Sequence, residues 1–335
     1  MINFSRFFAV FKARNIEFFR DRSSLSWNLL FPILMLVGLS FVFSGDGRAV
    51  YKVGVLNLAQ SQSNFLETKY ISFIDYQDTA IAKVKLEQHS IDLLVDFNVQ
   101  QYWVNQGAPN SYLVEKIFLN THKNYQRIET QGKKIRYVDW ILPGILGMNM
   151  MFSCLFGVGY VIVRYRKNAV LKRLKATPLT ALEFVSAQLF SRLFIVMFLS
   201  SVVYIGCNLF FDFYMLGSYL DLFIIAILGA FSLITLGLLV ASRSKSEELI
   251  GGLLNLSSWP MMLLSGVWFS LEGAPNAVKV FADFLPLTHL VSGARKIITE
   301  GATLSDISYH VTILMIMIAI FLTLGAYFFS WNTER

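Results

Sequence analysis

The stretch WILPGILGMNMMFSCLFGVGYVIV, residues 140–163, decides the fold, because it is almost wholly apolar and contains no charged side chain. A helix needs about 20 mostly apolar residues to cross the hydrocarbon core of a membrane. Five other runs have the same character: Trp27–Phe43, Phe184–Phe211, Tyr219–Ala241, Leu249–Phe269 and His310–Trp331. The sequence therefore predicts a polytopic α-helical membrane protein with six transmembrane helices.

The composition agrees with a membrane protein and excludes several other classes. The chain has 335 residues, of which 55% are hydrophobic and 15% are charged. An ordinary soluble protein has roughly 25% charged residues. These values exclude a disordered chain and a disulfide scaffold, and they argue against a soluble enzyme. Cys154 and Cys207 both lie inside apolar runs, so they imply no cysteine-based metal site.

The distribution of Lys and Arg predicts the orientation, because cytoplasmic loops carry an excess of these residues. Positive charge is concentrated before the first span, in residues 6–22, and between the second and third spans, in residues 164–175. Arg243 and Lys245 add to it between spans four and five. With six spans these segments share one side, so both termini are expected in the cytoplasm.

The chain divides into four predicted regions. Residues 1–25 form an amphipathic helix at the cytoplasmic surface, because Phe recurs there at helical spacing between basic residues. Residues 26–44 are the first transmembrane helix, and 45–138 are an extracytoplasmic α/β domain between the first and second spans. Residues 139–335 form a transmembrane domain of five helices.

The α/β prediction for 45–138 comes from alternating strand and helix patterns. Residues 51–56, 70–74 and 91–95 read as strands, whereas 79–88 places apolar residues at helical spacing. Alternation of this kind is typical of a small α/β domain.

Motifs for catalysis are absent from the sequence. It contains no G-x-x-x-x-G-K-[ST] phosphate-binding loop, no H-E-x-x-H, no C-x-x-C and no G-x-S-x-G. The four histidines are scattered along the chain, and a single His is more often a surface or capping residue than a ligand. We therefore expect no catalytic residue, no bound cofactor, no metal site and no nucleic-acid partner for this chain.

The most informative polar stretch is RYRKNAVLKRLKATPLT, residues 164–180. Val170, Leu171 and Leu174 fall on one helical face among basic residues, and Pro178 ends the helix because it disfavours α geometry at Thr177. Two interpretations stay open on the residues alone. The stretch is either a positive loop on lipid headgroups or a short helix that docks into a cytoplasmic partner.

The run LKRLKATPL, residues 171–179, resembles the signature loop of type-2 ABC exporter permeases. The runs FLPLTH (284–289) and VSGAR (291–295) resemble the partly re-entrant external segment of that family, here residues 271–306. The order of helices and external domain is also similar, so the resemblance covers nearly the whole chain and favours the subgroup with a large external domain. Many members carry Gly or a carboxylate just before the leucine–basic–arginine–leucine run, whereas this chain has Asn-Ala-Val at 168–170.

The resemblance implies a transport subunit rather than an enzyme. It implies the permease of an ATP-driven exporter that moves an amphiphilic, lipid-like or drug-like substrate across a bacterial inner membrane. Two permeases, identical or related, would contact two ATPase subunits that bind ATP and Mg²⁺, and membrane lipid and a periplasmic adaptor protein are further expected partners. Coupling contacts are expected at Arg166, Lys167, Val170, Leu171, Arg173, Leu174, Thr177, Pro178, Arg243 and Lys245. In the re-entrant segment the corresponding residues are Pro286, Leu287 and Arg295.

Two other functions stay open on the sequence: a membrane-anchored sensor that binds a ligand with its external domain, and a proton-coupled transporter. The spans lack the carboxylate relay that proton-coupled pumps tend to use. Arg192 lies inside the third span, and we expect its side chain to extend to the cytoplasmic interface. A functional charge within the membrane is the alternative.

Overall fold

The computed structural model describes residues 4–42, 51–57, 63–130, 136–242, 246–269, 271 and 276–329. The chain divides into two compact units. The helical unit comprises Met1–Ser40 and Val138–Arg335, and the α/β unit comprises Phe41–Tyr137. Each unit contains its own buried apolar core.

The described residues form twelve α-helices, a short 3₁₀ helix at Asn64–Glu67 and five strands. The helices are α1 Phe4–Arg20, α2 Arg22–Val42, α3 Thr79–Glu87, α4 Pro109–Thr121, α5 Tyr137–Lys167, α6 Val170–Lys175, α7 Ala181–Phe211, α8 Tyr219–Ala241, α9 Glu247–Leu264, α10 Asn276–Asp283, α11 Pro286–Glu300 and α12 Ser308–Phe328. The strands are β1 Tyr51–Leu56, β2 Ile71–Tyr76, β3 Leu93–Asp96, β4 Gln101–Asn105 and β5 Gln126–Thr130.

Four of the described helices are long and apolar enough to cross a membrane, namely α5, α7, α8 and α12. They coincide with four of the six predicted spans. The other two predicted spans fall on α2 and α9. Helix α9 begins with Glu247 and Glu248 and contains Asn255 and Pro260, which reduce its apolar character. The count of six crossings therefore stays a prediction.

Helix α5 is the most deeply buried of the four apolar helices, with about two thirds of its apolar stretch enclosed by the rest of the unit. Small residues allow this close packing. A Cβ atom on Gly144 would lie 2.7 Å from the carbonyl oxygen of Val267, and one on Gly237 of α8 would lie 3.2 Å from that of Leu155. Helix α5 therefore packs closely against α8 and against the backbone that follows α9.

The α/β unit is a mixed five-stranded sheet in the order β2-β1-β3-β4-β5. Strand β1 is parallel to β2 and β3, β3 is antiparallel to β4, and β4 is parallel to β5. Successive side chains of a strand point to opposite faces of the sheet. Accordingly Leu93 and Val95 pack with α4 on one face, whereas Leu94 packs with α3 on the other. The strand patterns in the sequence anticipate β1, β2 and β3 to within about two residues.

Side-chain caps fix where several helices begin. Asp78 accepts a hydrogen bond from the Ala80 amide at the start of α3. At the start of α7 Thr180 and Glu183 form a capping box, in which each side chain accepts from the other residue's backbone amide. The capping box therefore sets the boundary between the polar stretch 164–180 and the long apolar helix that follows it.

Candidate functional site

The stretch from 164 to 180, which we call the coupling segment, turns sharply after α5. Helix α5 ends at Lys167, and Ala169 then adopts the left-handed backbone region with φ of 56°. Only glycine enters this region without a steric cost. Helix α6 begins immediately afterwards, so the turn from α5 into α6 takes two residues, Asn168 and Ala169.

Three residues predicted to contact an ATPase pack or bond inside the helical unit. The Leu171 side chain is fully buried, and Leu174 packs against the same core. Arg166 is 6% exposed, and its guanidinium donates hydrogen bonds to the carbonyl oxygens of Ala241 at 3.3 Å and Ser242 at 3.0 Å. These carbonyls lie at the C-terminal end of α8, where helix carbonyls lack intrahelical partners. Arg166 therefore caps the C-terminal end of α8.

The remaining described residues of the prediction lie at or near the surface. Arg173, Thr177 and Pro178 are exposed, and Val170 is half-buried. Lys167 is also exposed and forms an ion pair of 3.6 Å with Glu247 at the start of α9. The structure thus gives the coupling segment a buried apolar side and an exposed polar side. Arg243 and Lys245 lie outside the described residues.

The residues predicted in the re-entrant segment lie at the opposite end of α5. Pro286 and Leu287 are buried at the start of α11. The Arg295 guanidinium stacks 4.0 Å from the centre of the Trp140 ring and donates to the carbonyl oxygens of Trp140 and Gly266. Trp140 is near the start of α5 and Arg166 near its end, a separation of about 39 Å along the helix. The two predicted sets of residues therefore do not form one site.

A pair of histidines connects α10, α11 and α12. His289 of α11 is fully buried, and its Nε2–H donates to the carbonyl oxygen of Asp283 at 2.8 Å. Its Nδ1 atom lies 3.1 Å from Nδ1 of His310 in α12 and is then the acceptor of that bond. Sequence reasoning did not predict that these two histidines meet, because 21 positions separate them.

A cavity of about 650 Å³ lies among α1, α2, α5 and α7, and we call it the arginine cavity. Its volume falls within the range of about 300–1,000 Å³ typical of small-molecule sites. Basic and aromatic side chains from all four helices line it. Those used below are Arg14, Phe18, Phe31, Phe152, Ser153, Phe156, Gly157, Tyr160 and Arg192.

Arg192 is the most deeply buried charge of this cavity and differs from its predicted position. Its side chain is 6% exposed and does not extend along α7 toward the interface. Instead Nε donates to the Ser153 carbonyl oxygen at 2.8 Å, and Nη2 donates to Ser153 Oγ at 2.7 Å. The guanidinium also lies 5.4 Å from the centre of the Phe18 ring. The hydroxyl and carbonyl of Ser153 offer a local partner, which is why the side chain turns across to α5.

Helix α1 lines one side of the cavity and packs against α7. Arg14, which is 7% exposed, donates to the Tyr165 hydroxyl at 2.8 Å and forms an ion pair with Glu17. Aromatic pairs join the two helices: Phe7 with Phe190, Phe11 with Phe194 and Phe19 with Phe198. Phe4 and Phe8 stay exposed on the other face, so α1 has two apolar faces.

A second cavity of about 380 Å³ lies among α5, α7, α8 and α11. Its walls include Met150, Met197, Phe223 and Leu290. No charged side chain among the described residues lines it. It suits an apolar group, whereas the arginine cavity combines charge with aromatic walls.

The α/β unit contains a polar cluster in which Tyr102 and Glu115 are buried and Arg127 is exposed. The Tyr102 hydroxyl donates to Glu115 Oε1 at 2.9 Å, and Arg127 Nε donates to the same oxygen at 2.6 Å. Burial, and then the neighbouring Glu115 carboxylate, raise the pKa of Tyr102 to about 12. Hydrogen bonding to Glu115 raises the pKa of Arg127 as well. The cluster therefore holds α4 to the sheet.

Comparison with known proteins gives a family and two relatives. The family model described as ABC-2 family transporter protein matches residues 22–327. The chain is similar to proteins named "Probable multidrug ABC transporter permease YbhS" from Escherichia coli strain K12 and from Escherichia coli O157:H7. In both cases identity is 22% over 366 aligned residues, which cover 94% of this chain and 93% of the relative. The family match thus extends over both units.

Proposed function

The chain belongs to the ABC-2 transporter family, and from that membership we propose that it is the permease subunit of an ATP-driven exporter. Membership makes it a multi-pass membrane protein of an ABC transporter, and the four long apolar helices agree with this. The observation that carries the coupling role is the two-sided coupling segment. Leu171 and Arg166 anchor it to α5 and α8, while Lys172 and Arg173 are exposed. A rigidly held basic surface suits an acidic groove on a partner.

We propose that the partner is an ATPase subunit present in two copies, which binds ATP and Mg²⁺. The absence of a phosphate-binding loop from this sequence supports a separate ATPase chain. Two permeases, in the simplest case two copies of this chain, would form the pathway. Closure of the ATPases would then move α5 and α7 as rigid bodies through α6.

We further propose six crossings of a bacterial inner membrane, with α2 and α9 as the additional spans and both termini in the cytoplasm. On this topology the α/β unit is extracytoplasmic, where a periplasmic adaptor could contact it, and α10 with α11 forms the re-entrant segment. Export of an amphiphilic, lipid-like or drug-like substrate is supported by the family resemblance and by cavities that combine apolar with polar walls.

Co-purification tests the assembly. The tagged chain, expressed with its chromosomal neighbours and gently solubilised, should retain an ATPase subunit. Replacing Lys172 and Arg173 together by Glu should release that subunit or uncouple its ATP hydrolysis, because both side chains are exposed on α6. Lys123→Glu in the α/β unit is the matched control, since it reverses an equally exposed charge. A purified chain without any ATPase would contradict the proposal.

Cysteine labelling tests the topology separately. Ser90 is exposed in the α/β unit and Lys172 in the coupling segment, while native Cys154 and Cys207 are both buried. An impermeant thiol reagent should label Ser90→Cys in intact cells with a permeabilised outer envelope, and should label Lys172→Cys only after lysis. The reverse pattern would overturn the orientation.

A further inference from the structure

We propose that the arginine cavity binds the anionic headgroup of an amphiphile, with Arg192 as its counter-ion and the aromatic wall of α5 as the surface for its apolar part. This inference rests on the proposed export function and names the substrate class that the cavity would accept: amphiphiles with a phosphate-like or carboxylate headgroup.

The first support is that Arg192 retains unused hydrogen-bond donors. A guanidinium carries five N–H groups in a fixed planar arrangement. Ser153 accepts from Nε and Nη2, and within the described part of the chain no acceptor bonds to Nη1. The two Nη1 hydrogens therefore remain for a ligand, and paired N–H donors suit the oxygens of a phosphate or carboxylate.

The second support is the absence of a compensating carboxylate. Among the residues that the structure describes, no Asp or Glu forms an ion pair with Arg192. Two carboxylates line the cavity, Glu17 and Asp21; Glu17 is held by Arg14 and Tyr165, and in the described part of the chain Asp21 forms no ion pair with Arg192. Burying a cation without a counter-ion is costly, and a charge inside a membrane protein is a functional hypothesis by default. A ligand anion would supply the missing charge.

The third support is the depth of the site. Arg192 lies about 16 Å along α7 from its start, and Ser153 lies about 21 Å from the end of α5. Both helix ends adjoin the coupling segment. The distances along α7 and along α5 therefore agree that the guanidinium lies well inside the helices. At that depth a small hydrated ion gains little, whereas an amphiphile brings its own apolar group.

The fourth support is an aromatic ladder that leads away from the charge. Phe152, Phe156 and Tyr160 of α5 follow one another at four-residue spacing, with ring centres 5.8 and 5.7 Å apart. All three are only partly buried and line the cavity. Between them Gly157 leaves room for the guanidinium, because a Cβ there would overlap Arg192 Cζ. The cavity therefore places a cation beside an apolar wall.

The test uses ³²P-labelled dodecyl phosphate at submicellar concentration and the full chain purified in a neutral maltoside detergent. Scintillation proximity should show saturable binding. Arg192→Gln should weaken it at least about tenfold, the effect of losing hydrogen bonds to a charged group. Arg192→Lys should bind with intermediate strength, and Arg20→Gln, which removes an exposed arginine at the end of α1, should bind normally. Absence of saturable binding to the unaltered chain would overturn the proposal.

Competition distinguishes the headgroup from the apolar part. Unlabelled dodecyl phosphate should displace the probe, whereas inorganic phosphate and dodecanol at the same concentration should not. Displacement by inorganic phosphate alone would mean a free-anion site, and displacement by dodecanol alone would mean a purely apolar site; either result contradicts the proposal. Gly157→Ala keeps the charge but displaces the guanidinium, so it should also weaken binding if Arg192→Gln fails to fold.

ATP hydrolysis separates a transported substrate from a resident lipid. In the complex with its ATPase, dodecyl phosphate should stimulate hydrolysis by the unaltered chain and not by Arg192→Gln. Binding without any stimulation would identify a resident lipid and overturn the substrate assignment. If the chain assembles with an ATPase but does not bind dodecyl phosphate, the present inference is contradicted and the proposed function stands. If the chain binds dodecyl phosphate but never assembles with an ATPase, the proposed function is contradicted.

Discussion

Arg127 of the α/β unit and two arginines of the helical unit, Arg166 and Arg192, bond to different kinds of acceptor. In the α/β unit Arg127 is paired with the carboxylates of Glu115 and Glu129. In the helical unit Arg166 and Arg192 donate to main-chain carbonyl oxygens. A carboxylate cancels the formal charge, whereas a carbonyl satisfies donors and leaves the charge in place. The difference teaches that Arg192, whose partners are uncharged oxygens of Ser153, can still attract an anion.

The two arginines of the helical unit also differ from each other. The acceptors of Arg166 are the last carbonyls of α8, which carry the negative end of the helix dipole. The Ser153 carbonyl, by contrast, lies in the middle of α5, where the intrahelical ladder already supplies a donor. Arg166 therefore donates to carbonyl oxygens that lack an intrahelical donor, whereas Arg192 donates to a carbonyl oxygen that already has one. We expect the first to matter for stability and the second for binding.

The largest expected effect is that of Arg127→Met. It leaves the Glu115 carboxylate, which is 5% exposed, without its cation. The α/β unit should lose about 2–3 kcal/mol of stability, the lower part of the range for buried pairs, because Arg127 is 43% exposed and solvent screens its charge. Hydrogen exchange of the strand peptides in the full chain measures this loss. Replacing Glu115 by Leu in the same chain should recover most of the stability, because no unpaired charge remains. Unchanged hydrogen exchange in Arg127→Met would show that the ion pair with Glu115 does not stabilise the α/β unit.

The next effect is that of Arg166→Met. It removes two hydrogen bonds and leaves the Ala241 and Ser242 carbonyls without these donors, at a cost of about 2 kcal/mol. Faster exchange should be confined to the last turn of α8 and the coupling segment. Lys167→Met, which loses an exposed ion pair with Glu247, is the neighbouring control and should change little.

Arg192→Met should change the stability of the helical unit by less than about 1 kcal/mol, because replacing a buried charge with a hydrophobic side chain is often neutral. The thermal unfolding midpoint of the purified chain measures it, while binding of dodecyl phosphate should be lost. A large fall in the midpoint would show that Arg192 holds the helices together, as Arg166 does.

The smallest effect concerns His122 in the α/β unit. Burial lowers the pKa of this imidazole below its usual value of 6.5. The unfolded chain then binds the proton first as the pH falls through about 6.5, so folding stability present above that pH is lost below it. Strand peptides should exchange faster at pH 5.5 than at pH 7.5 after correction for intrinsic rates. His122→Phe should reduce this pH dependence, and an unaltered dependence would contradict it.

Local patterns in the sequence predicted much of the fold. Alternating residues anticipated β1 and the strands beside it, uninterrupted apolar runs anticipated α5, α7, α8 and α12, and the family resemblance drawn from residues 171–179 is confirmed. The packing of α1 on α7 was not anticipated, because its Phe residues fit a lipid-facing helix equally well. The pattern of one segment does not say which neighbour will cover it.

The site was harder to anticipate for a related reason. The spacing in the coupling segment identified Leu171 as part of an apolar face, and the structure buries it. From the sequence Arg166 was predicted as one of the basic residues that contact a partner. Its capping of α8 is visible only in the structure, which brings the end of α8 next to it. Ser153 and Gly157 gave no signal, because a serine and a glycine in an apolar run are ordinary. Their significance depends on an arginine 35 or more positions away.

The left-handed conformation of Ala169 has a mechanical consequence. A glycine at this joint would sample many backbone conformations at similar energy, whereas an alanine has few alternatives that keep the turn. The flanking anchors, Arg166 before the joint and Leu171 after it, narrow the choice further. A force applied to α6 is therefore expected to move α5 as well, because the backbone between the two helices has few other conformations to adopt.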